Sequence, residues 1–394
     1  MKIFLLVSSM QDGGAERVAA TLVNAWADRG DKVTLVATFS GRGTCIYPLS
    51  ARVNLVYLAD LANKQGNRVK TYFSRFRALR ALIRESRPDV LVSFLTNVNN
   101  LTIVASRGLG VPVILSEQTN PLVDDRTELM RLACRLLYPH ADAVTLLTAG
   151  VVTQFKRMMP GIRNLVVLPN PLPAELLSQR RPPPDASGRK RLIALGRLHA
   201  VKQFDLLMTA FSTLVPHFPD WDLWIWGEGP ERASLEARIV ELGMGERIFL
   251  PGRTQAPWLE MVRAHAFVLS SRLEGLPMAM MEAMALGLPC VSFDCPSGPR
   301  ELTQGGQDGL LIPPGDAGAL AEALSRMLAD EPLREELGKR GAASIQKRYS
   351  LQEVMRLWDD LFARVGALES RTHRADGEGS GCMQGRPKRE RSGA

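Results

Sequence analysis

At 394 residues, with 45% hydrophobic and 23% charged side chains, the chain has the composition of a soluble globular protein and exceeds the ~100–200 residues that usually fill one domain. No apolar run approaches the ~18–20 residues of a membrane-spanning helix, and the opening MKIFLLVSS is too short for a signal peptide and lacks a small-residue cleavage site. The net charge of +8 is uneven, since residues 370–394 hold six Lys/Arg against three Asp/Glu; lacking an aromatic-interleaved basic strand, a zinc finger or a helix-turn-helix, the chain is expected to meet acidic small molecules or an anionic lipid surface and no nucleic acid.

The first elements are KIFLLVSS (2–9), a helix over 16–30 closed by Gly30, and KVTLVATF (32–39), which make a βαβ unit. Further apolar runs at 90–95, 112–117, 143–149 and 165–170 predict a parallel, doubly wound sheet buried on both faces. Within this half, RVKTYFSRFRALRALIRESRP (68–88) places Tyr72, Phe76, Leu79 and Ile83 on one face, flanked by Arg77, Arg80 and Arg84. The helix either packs on its own sheet with solvated arginines or lies on an anionic inner leaflet. SQRRPPPDASGRKR (178–191) has three consecutive prolines among charges and reads as an extended connector.

A second alternation follows, with strands at 191–196, 221–227, 247–252, 266–271, 289–294 and 308–313 and helices over 204–215, 232–244 and 277–286. Two such domains leave a cleft at the carboxyl ends of both sheets, where open α/β folds bind ligands. Amphipathic helices come next, the last spanning 351–368 with Leu351, Val354, Leu357, Trp358 and Leu361 on one stripe. Residues 369–394 are poor in apolar side chains and are expected to be a disordered basic tail. The five cysteines, Cys45, Cys134, Cys290, Cys295 and Cys382, are odd in number and contain no C-x-x-C pair. They indicate neither a disulfide framework nor a zinc site, and a reducing cytoplasm.

The stretch SRLEGLPMAMMEAMALGLPC (271–290) sets Glu274 and Glu282 eight positions apart around a helix start, with Pro277 suited to its first position and Gly287 and Pro289 after its end. The amides of Gly275, Leu276 and Pro277–Met278 and the helix dipole make an anion site, and a carboxylate accepts hydrogen bonds from vicinal hydroxyls. A ligand with both phosphates and sugar hydroxyls would satisfy both. The methionines of this helix read first as core filler.

This stretch resembles the E-x7-E signature of the family 4 retaining glycosyltransferases of the GT-B fold. GRLHAVKQFDLLMTAF (196–211), WIWGEGPERASLE (224–236), CPSGPRELTQGGQDGLLIPPGD (295–316) and DGGAER (12–17) are similar to further motifs of that family, in order and over roughly residues 1–365. The resemblance implies two Rossmann-like domains: residues 1–177 for the acceptor, a linker at 178–191, residues 192–348 for the nucleotide sugar, and a crossover helix at 349–368 packing on the first domain. It implies that Arg197 and Lys202 grip the donor diphosphate with help from Gly13 and Gly14, that Glu282 binds the ribose hydroxyls, and that Glu274 orients the donor sugar. No Asp-x-Asp is present, and two cations with helix amides do the work a metal would, so no metal or other cofactor is expected.

Glu117, Asn120, Pro299, Arg300 and Glu301 are candidate contacts to donor sugar or acceptor. The family often has a histidine where this chain has Gln118; a glutamine hydrogen-bonds but cannot titrate, which favours a front-face reaction over general-base catalysis. The expected activity is transfer of a hexose or N-acetylhexosamine, from a UDP-linked donor, to a lipid-linked or oligosaccharide acceptor in bacterial cell-surface polysaccharide synthesis. The place is the cytoplasm, peripheral on the inner face of the membrane. The alternatives are a nucleotide-sugar epimerase or phosphorylase of the same fold and a non-catalytic sugar-nucleotide-binding protein. A Rossmann dehydrogenase is disfavoured because SSMQDGGAER is not G-x-G-x-x-G.

Overall fold

The apolar runs form two separate parallel sheets. The computed structural model describes residues 1–11, 13–40, 45–62, 68–120, 126–180 and 188–367, without the side chains of Arg68 and Val69. The expected tail at 369–394 and the middle of the 178–191 connector therefore lie outside the described residues. The first sheet holds β1 (Lys2–Val7), β2 (Lys32–Ala37), β3 (Asn54–Tyr57), β4 (Val90–Phe94), β5 (Val113–Glu117), β6 (Ala143–Leu146) and β7 (Leu165–Val167), in the order β3-β2-β1-β4-β5-β6-β7. The second holds β8 (Lys190–Leu195), β9 (Trp221–Trp226), β10 (Ile248–Gly252), β11 (Ala266–Leu269), β12 (Cys290–Phe293) and β13 (Leu310–Ile312), in the order β10-β9-β8-β11-β12-β13.

Helices cover both faces of each sheet, which is why central strands such as β4 are buried along their whole length. Those of the first domain are α1 (Gly14–Asp28), α2 (Leu58–Leu61), α3 (Arg68–Ser86), α4 (Thr96–Ser106), α5 (Glu128–Leu137) and α6 (Val152–Met158). Those of the second are α7 (Phe204–Ser212), α8 (Arg232–Glu241), α9 (Pro257–Arg263), α10 (Met278–Ala285), α11 (Pro299–Leu302) and α12 (Ala317–Ala329). β3 went unread in the sequence: it is a four-residue edge strand, exposed at Asn54 and only half-buried beyond, so it has no continuous apolar run.

Helices α13 (Glu331–Tyr349) and α14 (Leu351–Arg364) close the chain. The break between them is local: Tyr349 is buried and Ser350, in extended backbone, caps α14 by accepting from the Glu353 N–H at 3.3 Å. α14 lies in the core of the first domain, with the Trp358 ring edge-on to Trp26 at 5.6 Å and Phe362 at 5.7 Å from Trp26. Trp358 is 1% exposed. Removing it to Ala is worth about 3–5 kcal/mol and would loosen the tie between the domains. No helix among the described residues is long and apolar enough to cross a membrane.

α3 settles one of the sequence alternatives in part. Leu79 and Ile83 are fully buried against the first sheet, and Arg80 donates to the carbonyls of Ala105 and Arg107 at 2.9 and 2.8 Å, so the second half of this helix is an ordinary packed helix. Tyr72 and Phe73 in its first half remain about half exposed.

Candidate functional site

Both sheets point their carboxyl ends at one gap. From the first domain comes the loop after β1: Gly13 caps α1 in extended backbone, and its carbonyl accepts from the Tyr47 hydroxyl at 2.9 Å. A side chain on Gly14 would meet nothing within 4 Å, so any need for glycine there comes from what binds. Arg17 sits one turn into α1. Across the gap stand Gly196 and Arg197 after β8, Gly227 to Gly229 after β9, and Ala279 and Glu282 on one face of α10. These groups line a cleft of about 700 Å³. A hollow of about 770 Å³ lies at the opposite, amino ends of the second sheet, lined by Lys190, His265 and Pro289. It holds none of the predicted site residues, and open α/β sheets bind ligands at the other edge.

The glycines after β9 are needed for packing. A Cβ on Gly227, whose φ is +149°, would fall 1.9 Å from the Gly196 carbonyl oxygen, and one on Gly229 would fall 2.2 Å from that of Leu198. This close approach seats the 196–203 loop. Its far end is held by Ser270, whose hydroxyl donates to the Lys202 carbonyl at 2.7 Å, and by the Arg272 N–H on the Val201 carbonyl at 2.8 Å.

The two glutamates of the 271–290 stretch end up in different surroundings. α10 begins at Met278 with Pro277 as its N-cap, one position later than expected; Met280, Met281 and Met284 fill the core while Glu282 faces the cleft. Glu282 is 1% exposed, and one carboxylate oxygen accepts from the Arg17 guanidinium of the other domain and the other from Trp258 Nε1 at 3.1 Å. Burial pushes the Glu282 carboxyl above its ordinary range, and Arg17 and the Trp258 N–H pull it back. Glu274 instead forms an ion pair with Lys202 at 2.5 Å, both side chains largely buried. Arg197 is exposed at the cleft and has no ion-pair partner among the described residues.

Several predicted residues turn out to join the domains. Asn120 Nδ2 donates to the carbonyls of Glu274 and Pro296 at 3.1 and 3.2 Å. A Cβ on Gly275 would lie 3.2 Å from the Asn120 nitrogen, so Gly275 faces the first domain's backbone, and Leu276 is buried. Glu301 accepts from the Ala149 N–H at 2.8 Å; burial raises its pKa, opposed by that N–H and by Arg348. Thr148 and Ser297 hydroxyls pair at 2.6 Å in the same seam. Pro299 is buried at the first position of α11.

Two residues, Glu117 and Arg300, lie differently from the expectation of direct ligand contact. Glu117 is 1% exposed: Arg126 pairs with it at 2.8 Å and the Tyr138 hydroxyl donates to it, so its carboxylate is spent inside the first domain. Arg300 is two-thirds exposed, paired with Asp294 and directed away from the cleft. Gln118 Nε2 donates to Ser116 Oγ at 2.9 Å, while its Oε1 is buried with no partner among the described residues. Arg17, Trp258 and Tyr47 were missed as site residues. For Arg17 a signal existed, a cation one turn beyond the paired glycines in DGGAER.

Comparison with known proteins agrees with this geometry. Residues 13–171 match the family described as glycosyl transferase 4-like domain, and residues 178–344 match glycosyl transferases group 1. The chain is 28% identical over 369 residues, covering 93% of it and 99% of the relative, to a Campylobacter jejuni alpha-1,4-N-acetyl-D-galactosaminyltransferase named for a diNAcBac-PP-undecaprenol-linked glycan. It is also 28% identical over 397 residues to the Streptomyces coelicolor exopolysaccharide phosphotransferase SCO2592, covering 93% of this chain but only 41% of that protein. Among solved structures, Anabaena HepE in complex with UDP and glucose superposes with a TM-score of 0.75 at 16% identity, over 92% of this chain and all of HepE. Two sheets facing one cleft, a returning C-terminal helix and two family matches that together span residues 13–344 make this chain a GT-B glycosyltransferase of the family 4 type.

Proposed function

We propose that the chain transfers a hexose or N-acetylhexosamine, with retention of anomeric configuration, from a UDP-linked donor to a polyprenyl-diphosphate-linked glycan at the inner face of the membrane. The observation that carries this reading is that Arg197 and Glu282 line one cleft opposite the Gly13–Gly14 turn, with Lys202, on the same 196–203 loop as Arg197, paired to Glu274. Arg197 and Lys202 offer fixed positive charge for a diphosphate, and the Gly13–Gly14 turn lets backbone approach it from the other side. Glu282 accepts from the ribose hydroxyls once Arg17 has let go of it. Glu274, released from Lys202 by the diphosphate, orients the sugar ring.

In this reaction the bond from the anomeric carbon to the diphosphate oxygen breaks and a bond to the acceptor oxygen forms on the same face. The acceptor's proton goes to the leaving phosphate oxygen. Gln118, an amide, holds a hydroxyl without titrating. Developing charge on the leaving diphosphate is met by Arg197 and Lys202, so no metal ion is assigned to that step. The donor follows the UDP complex of HepE and the acceptor follows the Campylobacter relative's printed name.

The test is incubation with UDP-glucose, UDP-galactose and their N-acetylated forms and a short-chain polyprenyl-diphosphate glycan, with and without EDTA. Proton NMR of the product is expected to show the donor's anomeric configuration kept, and turnover to survive chelation. An inverted product would exclude the front-face reaction.

A further inference from the structure

The ten residues of α5, ELMRLACRLL, carry two apolar stripes. Met130, Cys134 and Leu137 face inward: the Asn100 amide of α4 reaches Met130 Sδ at 3.1 Å and Cys134 Sγ at 3.6 Å, and Leu137 packs on the same core. Leu129, Leu132 and Leu136 recur three and four positions apart on another face, about 140° round the helix at ~100° per residue. They are 77%, 52% and 64% exposed. One stripe suffices to hold a short helix on its domain, so the second is surplus to folding.

That second stripe is edged with positive charge. Arg131 and Arg135 lie between the leucines, and Arg135 Nε donates to the Met158 carbonyl at 3.2 Å, which brings the exposed Lys156 and Arg157 of α6 alongside. Glu128 is the single acid in the helix and is paired with Arg131 at 2.6 Å. α3, whose basic apolar face drew attention in the sequence, instead commits Leu79 and Ile83 to the core.

We propose that α5 is the membrane-docking element of this protein: its three leucines enter the headgroup boundary of an anionic bilayer while Arg135, Lys156 and Arg157 bind lipid phosphates. A second copy of the chain fits this face poorly. α5 is ~15 Å long, so a partner seated on it would cover far less than the ~800 Å² per side of a standard interface, and two such faces would bring arginine against arginine. A lipid surface supplies the opposite charge and sets no minimum area. The position also suits the chemistry. Arg126, two residues before α5, pairs with Glu117 at the end of β5, and Asn120 just beyond reaches the interdomain seam. The inference rests on the proposed lipid-linked acceptor, which would then enter the cleft from the docked side.

The experiment is co-sedimentation of the full chain with vesicles of phosphatidylcholine containing or lacking phosphatidylglycerol, for wild type, Leu129→Ser/Leu132→Ser/Leu136→Ser, and Tyr72→Ser/Phe73→Ser. Wild type is expected to bind the anionic vesicles. The triple leucine variant is expected to lose at least a hundredfold in partition with its melting temperature and UDP affinity unchanged. Retained binding in the leucine variant, loss confined to the Tyr72/Phe73 variant, or a dimer in sedimentation that the leucine variant dissolves would each overturn the assignment. UDP titration of the same preparations separates this from the transferase reading, since wild type failing to bind nucleotide would sink that reading on its own.

Discussion

Arg17 and Glu282 are 265 positions apart and pair across the interdomain gap, so their coupling can be isolated. The perturbation is a double-mutant cycle of Arg17→Ala, Glu282→Gln and both together. Breaking a fully buried pair by deleting one partner costs about 3–5 kcal/mol. Here the Glu282 side chain is 2% exposed but that of Arg17 is 22% exposed and borders the cleft, and Trp258 still donates to Glu282. Water and the indole recover part of the loss, so Arg17→Ala should destabilise the ligand-free protein by about 1–3 kcal/mol, with a coupling term of about 1–2 kcal/mol. Urea unfolding monitored by circular dichroism reads both, provided the transition is cooperative. Saturating UDP should erase most of the coupling, because the ribose then occupies Glu282. A coupling below ~0.3 kcal/mol without ligand, or one that UDP leaves intact, refutes the exchange of Arg17 for ribose.

Other outcomes are expected at the same site. Glu274→Ala should slow transfer roughly 10²- to 10³-fold while UDP affinity stays within a fewfold, since the side chain acts on the sugar and its loss also frees Lys202; turnover and calorimetry together check this. Lys202→Ala should weaken UDP binding about ten- to a hundredfold, the worth of one charge-assisted contact, as read by calorimetry. The raised pKa of Glu282 gives donor binding an acid limb. The carboxyl becomes neutral at a pH above the ordinary glutamate range, so UDP affinity should fall as pH drops through that point. Glu282→Gln should be weaker at neutral pH and flat across this window, and a limb that persists in it would assign the titration elsewhere.

The parts legible in the sequence were those set by short-range pattern. Runs such as VLVSF in β4 are buried on both faces, so they are apolar but for Ser93 and read as strands. Gly30, at φ +97°, ends α1 as its position after an amphipathic run predicts. Glu274, Glu282 and Lys202 could be singled out because each lies within a short stretch that resembles a family motif. What escaped depends on partners far along the chain. Glu117 stands at a strand's carboxyl end, as a ligand contact would, and only Arg126 and Tyr138 folding over it withdraw it from the cleft. DGGAER marks Arg17 as a cation near the cleft, but its partner is a carboxylate 265 positions away in the other domain, and no local pattern announces that pairing. The outward leucines of α5 were invisible for another reason: a helix with apolar residues on two faces has no single stripe, and only the packed structure tells which one is left over.

The most direct test of the account is a crystal structure with an unreactive UDP-sugar analogue bound. The ribose hydroxyls are expected on Glu282, with Arg17 displaced from that carboxylate, the diphosphate between Arg197 and Lys202, and the sugar ring against Glu274. A nucleotide found at the amino-terminal edge of the second sheet, or bound in the cleft while Arg17 still holds Glu282, would contradict it.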